Sequence, residues 1–221
     1  MKTYALLFSM LLLAPCIARG QGYEVCGPLA NAYGPYDYRT AQDKLKIVDG
    51  AHFTTDVETL RRGNAGYLGG DLDYTLRASP NHHRALRSIA LYAEIHKTDH
   101  IPKARYSVEC YFNRAIRFAP DDATVHMLYG SYLFKTGAKQ KALEEYKVAE
   151  SLSEDNANLH YNLGLVYCDA KEYDKALEHA WKAYALGFQL PGLKNKLVAA
   201  GKWRDPPDQA GAGTGEPQKP R

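Results

Sequence analysis

Residues 123–156 read ATVHMLYGSYLFKTGAKQKALEEYKVAESLSEDN, and residues 157–190 read ANLHYNLGLVYCDAKEYDKALEHAWKAYALGFQL. The two segments align without a gap, because each is 34 residues long. Apolar residues recur in both at spacings of three and four, which indicates helices. A period in this range predicts a stack of repeated units and not a single globular core. The shift superimposes small residues at three places: Gly130 on Gly164, Ala142 on Ala176, and Ala149 on Ala183.

This pattern of small and large positions resembles the tetratricopeptide repeat (TPR) family. Two antiparallel helices joined by a short turn approach closely only where Gly or Ala removes side-chain bulk, and large residues fill the gaps between repeats. The resemblance implies an all-α fold, a right-handed α-solenoid of antiparallel helix pairs. Five positions depart from the family pattern: His126 and His160 replace Trp, Ala180 replaces an aromatic residue, and Glu154 and Phe188 replace Pro.

The repeat register predicts which side chains point inward. In residues 123–156 they are Tyr129, Gly130, Leu133, Ala142, Tyr146, Ala149 and Leu152. In residues 157–190 they are Leu163, Gly164, Tyr167, Ala176, Ala183 and Leu186.

An earlier repeat fits residues 83–122 if six extra residues are placed in a loop at Lys97 to Lys103, where His100 and Pro102 are typical of a turn. Residues 54–82 predict a degenerate capping repeat, in which Thr55 and Glu58 form a capping box that opens a helix near residues 57–62. The expected organisation is a signal peptide at 1–20, an irregular Tyr/Gly/Pro-rich N-terminal arm at 21–53, the capping repeat at 54–82, repeats at 83–122, 123–156 and 157–190, a C-terminal capping helix at 191–203, and a disordered tail at 204–221.

The N-terminus predicts export. A short positive start is followed by an apolar run of about ten residues and by small residues at Ala18 and Gly20, and cleavage after either one fits a secretory signal peptide. A membrane-spanning helix needs roughly twenty apolar residues, so no transmembrane segment is expected. Pro15 before Cys16 argues against lipoprotein anchoring at Cys16. The expected location is the periplasm or the extracellular space.

Net charge and cysteine content narrow the possible classes of protein further. Removal of residues 1–20 lowers the net charge from +3 to about +1, which gives no basis for nucleic-acid binding. Three cysteines then remain in an oxidising compartment, namely Cys26, Cys110 and Cys168. We expect a disulfide between Cys26 and Cys110, which would fix the arm to the first full repeat; three reduced, buried cysteines are the alternative.

The first-helix positions of a TPR stack line a concave groove that commonly receives extended peptides or helices. Chaperone-binding TPR proteins use a carboxylate clamp of Lys, Arg and Asn side chains. We do not expect this clamp here, because Asn162 is the only one of these residues that is present. The alternative is that the apolar residues at these first-helix positions only pack against neighbouring helices. The expected partner-binding residues are Met127, Ser131, Phe134, Asn158, Tyr161, Asn162 and Leu165.

No catalytic residue, cofactor site or metal site is expected from the sequence. His96 and His100 have the spacing of a helical metal pair, but the helix is expected to end between them. The glycines of residues 211–215 lack the strand and the Lys-Ser/Thr ending of a phosphate loop.

Three functions remain open at this point. The first is a non-catalytic protein–protein interaction scaffold or adaptor of the bacterial cell envelope. The second is a self-assembling structural subunit of an extracellular or envelope polymer, in which the tyrosine-rich arm docks on a neighbouring copy. The third is an enzyme or carbohydrate binder that uses the aromatic surface. The expected partners are proteins, including the chain itself.

Overall fold

The computed structural model describes residues 26–207, so the predicted signal peptide and all but four residues of the predicted C-terminal tail lie outside the described range. Within that range the fold is all-α, as predicted, with ten helices and no strand. The helices are α1 (Gln42–His52), α2 (Thr55–Glu58), α3 (Leu68–Ala78), α4 (His83–His96), α5 (Val108–Phe118), α6 (Ala123–Lys135), α7 (Lys139–Leu152), α8 (Ala157–Asp169), α9 (Tyr173–Ala185) and α10 (Gly192–Ala199).

The two periodic segments fold as helix pairs, α6 with α7 and α8 with α9, and these pairs share the most extensive contacts in the fold. Small residues allow the close approach. A Cβ on Gly130 would lie 3.0 Å from the Tyr146 ring of α7. One on Gly164 would lie 3.3 Å from the Ala176 carbonyl oxygen of α9 and 2.3 Å from Leu193 Cδ2 of α10. Small residues therefore recur in the sequence at the positions where helices make close contact.

Side chains cap the first helix of each pair. The Asp122 carboxylate accepts hydrogen bonds from the backbone N–H groups of Thr124 and Val125, and the Asn156 side chain accepts one from Leu159 N–H. These two residues occupy the same position of successive repeats, immediately before the helix, where Asp and Asn are favoured. The turn after each first helix contains a residue with a left-handed backbone, Gly137 in one repeat and Lys171 in the next.

Most residues predicted to point inward are buried. The exceptions are Leu152 and Leu186, which are both 42% exposed. Leu152 is the last residue of α7, and Leu186 is the residue that comes directly after α9. Both therefore lie at the end of a second helix, beyond the part that packs against its partner, and the prediction that they face inward was wrong.

The chain between α4 and α5 is an eleven-residue loop, residues 97–107. Lys97 ends α4 in the left-handed conformation, and the Ser107 hydroxyl caps α5 by accepting from Cys110 N–H. The loop leaves α4 in contact with both α5 and α6, so the first helices of successive repeats are neighbours.

The N-terminal region differs from the sequence expectation in two ways. Residues 21–53, predicted to be an irregular arm, contain α1, whose Leu45 and Val48 are buried against Ala78 of α3. The irregular part that the structure describes is residues 26–41, and the name "arm" is kept for this segment. The predicted capping box does not form, because α2 begins at Thr55, one residue after its cap Thr54, and no side chain caps it. The Glu58 carboxylate instead accepts a hydrogen bond of 2.8 Å from Arg84 Nε of α4.

The other end of the stack is closed by α10. Its Leu193 and Leu197 are fully buried, and the helix contacts both α8 and α9. Such a cover is what a terminal repeat needs, because its outer apolar face has no following repeat to bury it.

Candidate protein-interaction groove

An open groove of about 630 Å³ runs between the first helices α4 and α6, and we refer to it as the α4/α6 groove. It lies on the surface where two adjacent first helices meet, which is the concave side of a stack of helix pairs. Its lining residues are Arg87, Ala90, Leu91, Ala93, Glu94, Lys97, Thr98, Asp99, Leu128, Ser131, Tyr132, Lys135 and Thr136.

The floor of the α4/α6 groove rests on buried, stacked aromatic rings. Tyr132 is 8% exposed, and its ring stacks on Phe112 of α5 with centroids 5.7 Å apart. Tyr129 stacks on the same ring from the preceding turn of α6, at 4.9 Å. Burial, together with the negative charge of Glu109, raises the pKa of Tyr129 and of Tyr132 above the usual tyrosine value. Both phenols are therefore neutral hydrogen-bonding groups at physiological pH.

The rim of the α4/α6 groove is charged and contains both signs. Lys135 Nζ of α6 lies 2.6 Å from Glu94 Oε2 of α4, in an ion pair that bridges the two helices. Both side chains are substantially exposed, so this pair contributes little to stability and is free to exchange partners. Arg87 and Lys97 add two further positive charges to the lining, and Asp99 adds one negative charge.

An apolar strip accompanies these charges. Leu91 is 41% exposed and Ile95 is 58% exposed, and they are four residues apart on α4, so they lie on one face of the helix. Leu91 lines the groove directly. An apolar strip beside charges of both signs suits an amphipathic polypeptide segment better than a small polar ligand.

The predicted partner-binding residues are placed in different environments. Ser131 lines the α4/α6 groove. Met127, Phe134, Tyr161 and Leu165 are half-buried and pack against the hydrophobic core. The Tyr161 ring also stacks on Phe188, at 4.1 Å between centroids. Asn158 is exposed and Asn162 is half-buried on α8.

The groove residues on α4 were missed by the sequence analysis. Counted from His83, Arg87, Leu91 and Glu94 occupy repeat positions 5, 9 and 12. These are the same first-helix positions that were used for the two later repeats. The signal was therefore present, and applying these positions to the repeat at 83–122 would have found it.

The arm is anchored to α5 by a disulfide and by a buried arginine. Cys26 and Cys110 are bonded, with an S–S distance of 2.07 Å and a sequence separation of 84. Arg114, which is 1% exposed, donates to the carbonyl oxygens of Cys26 and Pro28 at 3.0 and 2.6 Å. Its guanidinium also lies over the Tyr106 ring, 4.6 Å from the centroid. Burial lowers the pKa of Arg114 from the ordinary arginine value.

Further along, the arm crosses the turns between repeats. Asn81, which is fully buried, donates to the carboxylates of Asp37 and Asp122 at 2.8 and 2.9 Å. Tyr36 N–H donates to the Ala78 carbonyl at 2.9 Å. No described residue of the arm lines the α4/α6 groove. The arm and the groove are thus separate surfaces.

The described residues contain no helix that is long and apolar enough to cross a membrane. Antiparallel helix pairs with a 34-residue period and a groove between first helices define a TPR-like fold. The TPR repeat family matches residues 130–171, which cover the end of α6 and all of α7 and α8. TPR stacks commonly serve as protein–protein interaction modules.

Two curated relatives are similar to part of the chain. Protein O-mannosyl-transferase TMTC3 of Homo sapiens is 29% identical over 106 residues, which are 48% of this chain and 11% of that protein. The protein of the same name from Mus musculus is 30% identical over 100 residues, 45% of this chain and 10% of that protein. The chain therefore spans about a tenth of the length of the curated relatives it matches.

Proposed function

We propose that this chain is an exported, non-catalytic scaffold or adaptor that binds a partner protein through the α4/α6 groove. The observation that carries the proposal is the groove itself, in which the exposed Leu91 lies beside the bridging Lys135–Glu94 ion pair. A partner segment that places an apolar side chain on Leu91 can exchange its own charges with that ion pair.

The chemistry of the lining describes the partner. It is an amphipathic helix or extended segment with apolar residues on one side and charges of both signs on its flanks. A free C-terminal carboxylate is not the feature recognised, because Leu128 occupies a first-helix position where the carboxylate clamp needs a polar side chain.

The proposed compartment is the envelope of a Gram-negative type of bacterium. Two observations support export: the apolar stretch near the N-terminus after Lys2, and the Cys26–Cys110 bond. Structural disulfides form and persist mainly in oxidising compartments such as the periplasm. Western blotting of periplasmic and cytoplasmic fractions checks the location.

The relatives are named as mannosyl-transferases, and we do not carry that activity over to this chain. The matched length is about a tenth of each relative, and a shared repeat region implies a shared fold rather than shared chemistry. A mannosyl-transfer assay with the purified chain addresses this point, and turnover above a no-protein control would contradict the non-catalytic assignment.

A photo-crosslinking experiment tests the proposed groove. A photoreactive residue is placed at Leu91 in the groove and, as a matched control, at Val148 of α7, which is 40% exposed. We expect Leu91 to capture a distinct partner in cells, identified by mass spectrometry. Leu91→Asp should reduce capture of that partner by a second photoreactive residue at Ser131, and Val148→Asp should not. Equal capture from Leu91 and Val148 would contradict the proposal.

A self-assembling subunit is the second candidate, and the arm makes it testable. Tyr33, Tyr36 and Tyr38 pack on the chain's own α1 and α3. If the arm made these contacts with a neighbouring copy, the Cys26–Cys110 bond would join two chains. Light scattering with non-reducing electrophoresis separates the two cases. A disulfide-linked ladder would support the polymer, and a monomer with an internal bond would support the scaffold.

A further inference from the structure

A compact cluster of three potential metal ligands lies at the junction of the last two repeats. Glu150 projects from α7, His160 from α8 and His179 from α9, and one ligand atom of each lies within 4.8 Å of the other two. Both imidazoles are buried. Within residues 26–207 this is the one group of three His, Cys, Asp or Glu side chains that meets this criterion.

The distances within the cluster approach those of a tetrahedral zinc site. Zinc–nitrogen bonds of 2.0–2.1 Å at tetrahedral angles separate two ligand nitrogens by about 3.3 Å. His160 Nδ1 and His179 Nδ1 are 3.1 Å apart. Glu150 Oε1 lies 3.8 Å from the first and 4.0 Å from the second. The carboxylate needs to move by only a few tenths of an ångström, and its partly exposed side chain is free to do so.

A hydrogen bond orients the ring of His160 for ligation. His160 Nε2 lies 2.7 Å from the Glu154 carbonyl oxygen, which can only accept, so Nε2 carries the proton. In the neutral ring the lone pair is then on Nδ1, facing the cluster. Metal-bound histidines characteristically donate their second N–H to a carbonyl or carboxylate in this way.

The second imidazole is also suited to ligation. His179 is 9% exposed, and its Nδ1 faces Nδ1 of His160 across the cluster. The Tyr167 ring stacks on it at 5.4 Å, which fixes its plane.

The preceding repeat provides an internal comparison. His126 occupies the position equivalent to His160, and its Nδ1 bonds Glu145 Oε2 at 2.7 Å, while its Nε2 faces the Pro120 carbonyl at 3.1 Å. Glu145 is equivalent to His179, since both come 19 residues after their histidine. The earlier repeat thus satisfies its histidine with a carboxylate. The later repeat instead has two imidazoles facing each other, with a carboxylate beside them.

We propose that Glu150, His160 and His179 bind a zinc ion or a similar divalent transition-metal ion, which joins the last two repeats. Two imidazoles and one carboxylate are a common zinc ligand set. A cavity of about 340 Å³ lined by Glu150 and His160 leaves room for water as the fourth ligand. Lys182 Nζ lies 3.9 Å from Glu150 Oε1 and would turn away when the ion enters.

Calorimetric titration of the untagged, EDTA-treated mature protein with zinc chloride tests the site. We expect one tight equivalent and a rise in melting temperature with zinc. Cobalt should give the intense visible absorption of a four-coordinate ion. His179→Gln and Glu150→Gln should each weaken zinc binding by at least about tenfold, the smallest loss expected even for a group that only supports a ligand.

His126→Gln is the matched control, because it alters the equivalent histidine of the preceding repeat and should leave zinc affinity unchanged. Circular dichroism checks that each variant is folded, and Glu150→Gln, at a partly exposed position, keeps the test valid if His179→Gln unfolds. Absence of zinc binding, or tight binding that survives both Glu150→Gln and His179→Gln, would overturn the proposal.

Discussion

At the scale of single residues, two adjacent glycines of α3 differ in the space available for a side chain. A Cβ on Gly69 would lie 2.2 Å from the Pro102 carbonyl oxygen, whereas a Cβ on Gly70 would have no atom within 4 Å. The loop between α4 and α5 therefore packs directly on the backbone of α3 at Gly69. A side chain therefore clashes at Gly69 and has room at Gly70.

Gly69→Ala should destabilise the protein, because the carbonyl of Pro102 must move to admit the methyl group. We expect a loss of about 1 to 3 kcal/mol in the free energy of unfolding, as for other overpacked sites. Gly70→Ala should instead be neutral or stabilise by up to about 1 kcal/mol, through helix propensity. Urea denaturation of both variants measures the difference, and equal effects would show that the loop does not pack here.

Ala183 makes a similar prediction in the second helix of the last pair. It is fully buried, and Ala183→Leu should cost about 1 to 3 kcal/mol by overpacking the contact with α8. Ala185→Leu, two residues further at an exposed position, is the control and should change stability by less than about 0.5 kcal/mol. Thermal denaturation compares them, and an unchanged melting temperature for Ala183→Leu would refute the repeat register.

At the scale of elements, Asp122 connects the cap of α6 with the arm. Burial alone would raise the pKa of this carboxyl group, but hydrogen bonds from His83 and Asn81, together with the charge of Arg39, hold it below its usual value. A lowered pKa in the folded state means that the ionised carboxylate stabilises the fold above the unfolded pKa, near pH 4. This contribution is lost as the pH falls through the folded pKa.

Asp122→Asn should keep the cap, since Asn caps helices as well as Asp does, but lose the charged contacts. We expect a loss of about 1 to 3 kcal/mol at pH 7, typical of a hydrogen bond to a charged group. The gap between wild type and variant should close as the pH falls below about 4. Asp155→Asn, at an exposed position away from these contacts, is the control. A gap independent of pH would exclude the carboxylate charge as the cause.

At the scale of the whole molecule, the repeat stack has a closed C-terminal end. Leu197 is fully buried, whereas the adjacent Val198 is 55% exposed. Leu197→Asp should detach α10 and uncover the apolar face of α8 and α9, lowering the melting temperature and promoting association. Val198→Asp should do neither. Size-exclusion chromatography with a thermal melt compares the two, and similar behaviour would mean that α10 is not a cover.

The sequence predicted the repeats well because their spacing is local and periodic, so Gly130 and Gly164 reveal the register without any structure. It missed α1, because only Leu45 and Val48 of that helix are buried and the preceding Gly-Pro turns predicted an irregular chain. It also missed the contacts of Asn81 and the cluster around His179. Both depend on side chains from segments that are far apart in the sequence. The spacing of residues along the chain does not predict such contacts.

The separation of the arm from the α4/α6 groove bears on how the protein can evolve. The arm bonds to α5 and to the turns between repeats, while Arg87, Leu91 and Glu94 project from α4 into the groove. Selection for a new partner can therefore replace these three side chains without weakening the contacts that hold the arm. Descendants of one ancestral gene could then diverge in what they bind while inheriting an unchanged framework.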